Sequence, residues 1–265
     1  MVLKKEKSKN QPGHTSHILI MSEAKYIIEI ATSDFLTTKS AVEGGADRIE
    51  LCANLAEGGT TPSYGHIKKC RETFTILIYP IIRPRGGDFL YTTEEFEIML
   101  QDIKLCKQLG CDGVVIGLLN RDGSIDIKRT AILAEIAYPL GVTFHRAFDR
   151  CRDPFEAMEQ LIGIGCERIL TSGQKPAAPE AIELIAQLNK EADERIIIMP
   201  GSGVRKENIK MLAGQTGCVE FHSSLRGKIK SAMEFIHPAF AGSEESYVNN
   251  AIDPNEVVAF RNALS

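Results

Sequence analysis

The hydrophobic and polar positions from Tyr26 onward alternate between two patterns. Short runs of β-branched and other apolar residues, which are typical of buried strands, recur along the chain. Between these runs lie longer stretches with apolar residues three and four positions apart, as in 94–109, and this spacing predicts amphipathic helices. The eight predicted strands are 26–31, 48–52, 75–82, 113–117, 141–145, 168–171, 195–199 and 218–222.

The repeating strand–helix unit predicts the fold class. The eight units occupy residues 26–222, or roughly 25 residues each, which is a normal length for a β-loop-α unit. Three units end their helix with a glycine and place an acidic residue two positions later, in the tripeptides 45–47, 110–112 and 165–167. The sequence therefore predicts an α/β protein with a single closed (β/α)8 TIM-type barrel; a doubly wound open sheet is the alternative.

Two segments lie outside this repeat. Residues 1–24 are basic, then polar, then briefly apolar; the apolar run is too short for a signal peptide, and we expect a flexible N-terminal extension. The barrel domain takes 25–265, including a C-terminal tail over 223–265. Within the tail, 231–249 is predicted to be extended and weakly ordered, and 255–264 to form a closing helix.

Composition and charge exclude several classes of function. Hydrophobic residues make up 43% of the chain and charged residues 25%, which is typical of a soluble globular protein rather than a disordered one. The formal net charge of −4 argues against a nucleic-acid partner, and no apolar run is long enough to span a membrane. The seven cysteines form no CxxC pair, so we expect buried thiols in a reduced, cytoplasmic protein.

Candidate proton-transfer groups follow several of the predicted strands. Active sites of barrels lie at the carboxyl ends of the strands and in the loops after them. The candidate catalytic residues at these ends are Glu29, Glu50, His145 and Asp149. His145 is a candidate general acid or base whose imidazole is held by the nearby Asp149 carboxylate; the alternative is a structural histidine. Charged side chains within the strands are expected to point into the barrel mouth, because an unpaired charge is costly elsewhere.

The loop after the third strand is a candidate anion clamp. Arg83 and Arg85 flank a proline and precede two glycines, an arrangement suited to bidentate binding of a carboxylate or phosphate. The alternative is a structural ion-pair network in which these guanidiniums bind Glu29, Glu50 and Asp88.

A second candidate anion site follows the seventh strand. Gly201 and Gly203 lie in a glycine-rich loop that precedes a helix predicted to begin near Arg205. Free backbone N–H groups in such loops bind phosphate, and barrels often hold phosphate between loops 7 and 8. The alternative is a simple tight turn. Further candidate anion-binding residues at the strand ends are Arg146, Ser172, His222 and Ser223. No HxH, HExxH or CxxC spacing indicates a preformed zinc site.

Five stretches, in this order, resemble the CutC copper-homeostasis family. They are GGADRIELC (44–52), EGGTTPS (57–63), IRPRGGDF (82–89), TFHRAFD (143–149) and LTSG (170–173). The resemblance implies a cytoplasmic (β/α)8 barrel that self-associates as a homo-oligomer and is linked to copper handling. It also implies a copper(I) site built from two cysteines after the first two strands. Only the second position is a cysteine here, Cys52, whereas the first is Ala31.

Two functional hypotheses follow, and no reaction can be assigned from the sequence. The first is a CutC-like copper-homeostasis protein that binds copper(I) at the barrel mouth through Cys52. The second is an enzyme acting on a small phosphorylated or carboxylated metabolite, with Arg83 and Arg85 as the anion clamp. The resemblance favours the first, while the hard polar groups at the strand ends favour the second. A scaffold without a ligand is least supported, because it has no need of charges in the mouth.

Overall fold

Eight parallel strands follow one another around a ring in the computed structural model, which describes residues 26–240 and 247–265. The strands are β1 (Ile27–Thr32), β2 (Arg48–Leu51), β3 (Leu77–Pro80), β4 (Gly113–Ile116), β5 (Gly141–Phe144), β6 (Arg168–Thr171), β7 (Ile197–Pro200) and β8 (Glu220–Ser223). The helices are α1 (Phe35–Glu43), α2 (Tyr64–Thr73), α3 (Thr93–Gln108), α4 (Ile127–Ala137), α5 (Pro154–Ile164), α6 (Ile182–Ala192), α7 (Ile209–Thr216) and α8 (Pro254–Asn262). The prediction for 1–24 lies outside the described residues.

The strand pairing confirms the predicted (β/α)8 TIM-type barrel. The ladders form two halves, with the orders β3-β2-β1-β8 and β4-β5-β6-β7. A bridge between Ile81 and Val115 joins β3 to β4, and β7 lies beside β8. The strands therefore follow chain order around the ring, and every predicted strand is present with ends that differ by two residues at most.

The repeated glycine-x-acid motif has a structural role at the helix ends. Its glycine has a left-handed backbone in each of the three units, with φ between 74° and 89°. In two units the carboxylate, from Asp47 or Asp112, accepts a hydrogen bond from a backbone N–H of the neighbouring strand at 2.9 Å. The motif thus ends one helix and fixes the start of the next strand against its neighbour.

The lower part of the barrel interior is ionic rather than aliphatic. Arg48, Arg168 and Glu220 are the first residues of β2, β6 and β8, and all three are buried. The Glu220 carboxylate accepts a hydrogen bond at 2.6 Å from each of the two guanidiniums, and Arg48 also donates to Glu29 at 2.5 Å. The charged residues of the strands are therefore paired with one another. Contrary to the expectation that they point into the mouth, Arg48, Arg168 and Glu220 lie at the opposite end of the barrel.

The tail contains a hairpin that the sequence analysis missed. Strands β9 (Gly227–Lys230) and β10 (Val248–Ala251) pair antiparallel, whereas the sequence predicts only an extended, weakly ordered stretch over 231–249. Both strands are largely exposed, so they carry no alternation of buried and exposed residues that sequence could reveal. The predicted closing helix is confirmed as α8, which buries Val257 and Phe260. Within 26–240 and 247–265, no helix combines the length and apolar composition needed to cross a bilayer.

Candidate functional site

A cavity of about 240 Å³ opens at the carboxyl ends of the strands. Seven of the predicted site residues line it, namely Glu50, Arg83, His145, Arg146, Gly203, His222 and Ser223. The other predicted residues, which do not line it, are Glu29, Cys52, Arg85, Asp149, Ser172 and Gly201. The lining contains four arginines and a single carboxylate, so an anionic ligand is favoured.

Glu29, Glu50 and His222 form one buried group at the floor of the cavity. The register of β1 with β8 places Glu29 beside His222. Nδ1 of His222 lies 2.7 Å from Oε1 of Glu29, and Nε2 lies 3.8 Å from Oε2 of Glu50. Because Glu29 also accepts from Arg48, it is anchored from below and fixes the orientation of the imidazole. Nε2 is therefore left facing Glu50 at the cavity.

Burial and charge shift the pKa values of these three groups in different directions. Burial raises the pKa of Glu29, but Arg48 and the hydrogen bond with His222 outweigh it and hold that pKa well below its usual range. Burial, together with the Glu29 charge, raises the pKa of Glu50 despite the opposing charge of His222. Burial lowers the pKa of His222, but the two carboxylates outweigh it and the net shift is upward. The surroundings thus favour the charged form of Glu29 and a bound proton on Glu50 and on His222.

His145 is not held by a carboxylate. Its Nδ1 accepts the backbone N–H of Ala147 at 3.1 Å, and burial together with the Arg83 charge lowers its pKa to about 3. The imidazole is therefore neutral near pH 7 and carries its proton on Nε2. The predicted contact with Asp149 is absent from the hydrogen bonds of both side chains among the described residues.

Asp149 and Ser172 act on the site through Arg146. The Asp149 carboxylate accepts from Oγ1 of Thr171 at 2.5 Å, from Oγ of Ser172 at 2.8 Å and from Nε of Arg146 at 2.8 Å. Ser172 also accepts from the Arg146 guanidinium at 2.8 Å. These contacts tie the loop after β5 to the end of β6 and hold the Arg146 guanidinium at the cavity wall. Asp149 itself does not line the cavity, and its carboxylate contacts Arg146, which does.

The two arginines of the predicted clamp have different surroundings. The terminal nitrogens of Arg83 donate to the carbonyl oxygens of Glu57, Gly59 and Gly87, at 2.6–2.9 Å. Arg85 lies outside the cavity, where its guanidinium binds Glu95 and Asp88. Of these two arginines only Arg83 lines the cavity, and Arg85 belongs to a structural ion-pair network with Asp88 in its own loop and Glu95 on α3.

The loop after β7 presents a row of backbone donors. Ser202 and Gly203 both have φ of 71°, a left-handed backbone, and the N–H groups of Ser202, Gly203 and Val204 donate no hydrogen bond within the described chain. All three residues line the cavity. The predicted helix begins at Ile209 rather than near Arg205, so the loop itself, rather than a helix end, supplies these donors.

Sequence reasoning missed two arginines at the rim. Arg205 lies directly after the loop, and its guanidinium has no partner in the parts of the chain that the structure describes. Arg226 donates to Oγ of Ser224 at 3.2 Å and to the carbonyl of Leu55 at 3.0 Å. Both arginines lie in or next to the loops after β7 and β8, where the sequence analysis expects phosphate to bind, and this position could have identified them as site residues. Gly201 serves packing instead, since a Cβ there would meet Leu170 at 2.4 Å.

The residues around Cys52 do not fit a copper(I) site. All seven cysteines are free and buried, and the Cys52 thiol donates to the carbonyl of Glu50 at 3.9 Å. Burial and the Glu50 charge raise the pKa of this thiol well above its usual value. Copper(I) prefers two or more soft ligands, and Ala31 supplies none. Among the described residues no cluster of three or more histidine, cysteine or carboxylate groups could hold a metal ion.

Comparison with known proteins assigns the chain to a family of barrels. The model of the CutC family matches residues 26–227. A family protein CutC of Chromobacterium violaceum is 48% identical over 241 residues, which cover 90% of this chain and 98% of that protein. A family protein CutC of Parabacteroides distasonis is 57% identical over 212 residues, which cover 80% of this chain and 87% of that protein.

Two solved structures place the fold among known barrels. A Streptococcus agalactiae protein, provisionally described as the copper homeostasis protein CutC, has a TM-score of 0.73 and 34% identity, covering 75% of this chain and 98% of its own. N-(5'-phosphoribosyl)anthranilate isomerase of Pyrococcus furiosus has a TM-score of 0.54 at 12% identity, covering 90% of this chain and 98% of its own. The second likeness concerns the fold alone.

Proposed function

The chain belongs to the CutC family, and we propose that it is an enzyme that binds a small phosphorylated or carboxylated metabolite in the barrel mouth and transfers a proton on it. The observation that carries this proposal is that backbone donors and a pair of titratable groups line one cavity. Ser202, Gly203 and Val204, whose N–H groups have no partner among the described residues, line the same cavity as the Glu50–His222 pair. One part of the cavity is suited to an anion and the other to proton transfer.

The anion would bind between the loops that follow β7 and β8. Three backbone donors come from the first loop, and the guanidiniums of Arg205 and Arg226 flank them. A phosphoryl group offers three charged oxygens to such a set, and arginine binds phosphate with good geometry. The cavity volume of about 240 Å³ is below the usual range for drug-sized ligands, which favours a small metabolite.

The proton would move between the ligand and the Glu50–His222 pair. A catalytic group works best when its pKa lies near the working pH, and the pKa values of Glu50 and His222 are both raised, by burial and the Glu29 charge for Glu50 and by the two carboxylates for His222. Glu29 does not line the cavity but fixes Nδ1 of His222, so it is a positioning residue. In this proposal Glu50 accepts the proton from the ligand, and His222, whose Nε2 lies 3.8 Å from Oε2 of Glu50, returns one.

Copper handling is the second candidate function. The observation in its favour is the provisional description of the Streptococcus agalactiae relative as a copper homeostasis protein. The Cys52 thiol is the only soft group that the family site retains, and its surroundings do not fit copper(I) for the reasons given above. We therefore propose that any role of this chain in copper homeostasis does not proceed through direct binding at Cys52.

The proposal also includes a cytoplasmic location and self-association of the chain. Seven free cysteines are typical of a protein from a reducing compartment, which supports a cytoplasmic location. Self-association into a homo-oligomer is supported by the tail, where Ile229, Met233, Phe235 and Phe240 are each more than half exposed. Apolar side chains gathered in one segment in this way mark contact surfaces between proteins.

Isothermal titration calorimetry with inorganic phosphate tests the binding part of the proposal. The variant Arg205→Gln/Arg226→Gln removes both rim guanidiniums, and we expect its phosphate affinity to fall about tenfold or more, since charge-assisted hydrogen bonds contribute strongly. The control Arg121→Gln/Lys190→Gln removes two positive charges from exposed positions away from the cavity, and its affinity should match the wild type. Equal loss in both variants, or no binding to the wild type, would overturn the proposal.

A further inference from the structure

Two buried nitrogen atoms in the cavity wall lack hydrogen-bond partners. Nε of Arg83 and Nε2 of His145 are both inaccessible to solvent, and neither has a partner among the residues that the structure describes. Both side chains line the cavity and both are at least nine-tenths buried. Buried polar atoms in native proteins are nearly always paired, so two such atoms at one site point to an absent hydrogen-bond acceptor.

The surrounding contacts make both atoms donors. Nδ1 of His145 accepts from the Ala147 amide, so the proton of the neutral imidazole is on Nε2. The terminal nitrogens of Arg83 are used by backbone carbonyls, which leaves the Nε–H group, and the buried Tyr91 hydroxyl beside this guanidinium also lacks a hydrogen-bond partner among the described residues. The backbone contacts hold each side chain before any ligand arrives, and such preorganised donors are what stabilises a developing oxyanion.

One aromatic ring covers both donors. The Phe89 ring centroid lies 4.9 Å from that of His145 and 5.1 Å from Cζ of Arg83. Phe89 is partly exposed, lines the cavity, and follows the glycine pair 86–87 in the loop after β3. Phe89 therefore packs against both side chains at the cavity wall, and its apolar ring helps to keep water away from them.

We propose that Arg83 and His145 form an oxyanion-binding pair, so that the ligand of this cavity is a phosphorylated compound that also carries a carbonyl group. The inference rests on the proposed function and names its substrate class. The phosphoryl group would lie between the loops after β7 and β8. The carbonyl oxygen would reach the side of the barrel formed by β3 and β5, and the carbon between them would face Glu50 on β2.

The reaction class follows from these positions. A C–H bond next to the carbonyl breaks, its proton passes to the Glu50 carboxylate, and its electron pair forms a C=C bond. The carbonyl oxygen gains the negative charge and accepts hydrogen bonds from the Arg83 and His145 donors. The substrate also carries a hydroxyl group on the carbon that loses the proton. A proton returns to the former carbonyl carbon, the hydroxyl proton passes to the former carbonyl oxygen, and the hydroxyl oxygen becomes the new carbonyl, which completes an isomerisation with no oxidant, reductant or co-reactant. A pKa of about 3 suits His145 to this role, because a neutral imidazole donates a hydrogen bond without giving up its proton at pH 7.

Two probe molecules separate this inference from the proposed function. Ethyl phosphate carries the phosphoryl group alone, and 2-phosphoglycolate adds a planar carboxylate that imitates the charged oxygen. We expect the wild type to bind 2-phosphoglycolate at least tenfold more tightly in calorimetry. The variant His145→Phe keeps a ring but removes the donor, and this preference should fall about tenfold while ethyl phosphate binds unchanged. Equal affinity of the wild type for the two probes overturns the inference and leaves the proposed function intact, whereas binding of neither overturns both.

A spectroscopic readout keeps the test independent of folding of the variant. In wild-type protein with ¹⁵N-labelled histidine, His145 should give the signals of a neutral imidazole protonated on Nε2 at pH 7. Addition of 2-phosphoglycolate should shift the Nε2–H signal, and ethyl phosphate should not. An imidazolium, the other tautomer, or equal shifts with both probes would overturn the assignment.

Discussion

Nδ1 of His222 lies 2.7 Å from Oε1 of Glu29, and both side chains are buried inside the barrel. This contact joins the ionic interior to the cavity, because Glu29 also accepts from Arg48 below it. A charged layer at the start of the strands thereby fixes an imidazole at their ends. Aliphatic layers fill most barrels of this kind, and here they are replaced by charges that are stable only when every partner is present.

Glu29→Gln is expected to lower both the pKa of His222 and the stability. The raised pKa means that this histidine stabilises the fold below its unfolded value near 6.5, and that this stability is lost as pH rises through the folded value. Removing the Glu29 carboxylate abolishes this stabilisation by His222 and leaves Arg48 with one ion-pair partner fewer. We expect the free energy of unfolding to fall by about 3 kcal/mol. Histidine NMR titration and urea unfolding measure the two effects. Exposed Glu43→Gln is the control, and its unfolding free energy should stay within about 0.5 kcal/mol of wild type.

His145 is expected to make the protein less stable in mild acid. Its pKa is about 3 in the folded state and near 6.5 in the unfolded chain, so the unfolded chain binds more protons between these values. The free energy of unfolding should therefore fall, relative to His145→Phe, by about 1 kcal/mol per pH unit from pH 6.5 to pH 4. Urea unfolding of both proteins across this range measures the difference. A difference that does not change with pH would show that His145 has the same pKa in the folded and unfolded chain, which contradicts the prediction. Exposed His237→Gln is the control and should track the wild type throughout.

Copper(I) binding is expected not to depend on Cys52. Its thiol is buried, its pKa is raised, and the facing position is Ala31. An anaerobic competition titration against a chelator of known affinity should give the same result for the wild type and Cys52→Ser. Tight one-to-one binding that is lost in the variant would instead establish a copper site at this position and favour the second candidate function.

The exposed apolar side chains of the tail are expected to hold copies of the chain together. Phe235 and Phe240 are 69% and 57% exposed, so Phe235→Ser/Phe240→Ser should shift the mass measured by sedimentation towards that of a single chain. The control is Leu36→Ser, which alters an equally exposed apolar residue on α1 and should leave the mass unchanged. A wild-type protein that sediments as a monomer would contradict the proposed self-association.

The barrel was predictable because its strands are buried and its helices are amphipathic. Both patterns can be read from residues that are close together in the sequence. The same holds for the glycine that ends the helix before Asp47 or Asp112. The hairpin was not predictable, since strands exposed on both faces leave no alternation, as in β9.

The site was predictable only in part, because residue type does not reveal which way a side chain points. Arg83 and Arg85 are two positions apart, yet only Arg83 reaches the cavity. His145 and Asp149 are close in sequence, but the chain turns between them and Asp149 binds Arg146 instead. The long-range partner of Glu29, His222, is 193 residues away, and only the register of β1 with β8 brings them together.

The most direct test of an anion site at the barrel mouth is a titration of the backbone amides with inorganic phosphate, followed by ¹H–¹⁵N NMR. The N–H groups of Ser202, Gly203 and Val204 have no partner within 26–240 and 247–265, so they should shift downfield together and saturate with a single affinity. Signals far from the cavity, such as that of Arg121, should stay in place. If these three amides do not respond while phosphate binds elsewhere, or if no amide responds at all, the cavity is not an anion site and the proposed function is contradicted.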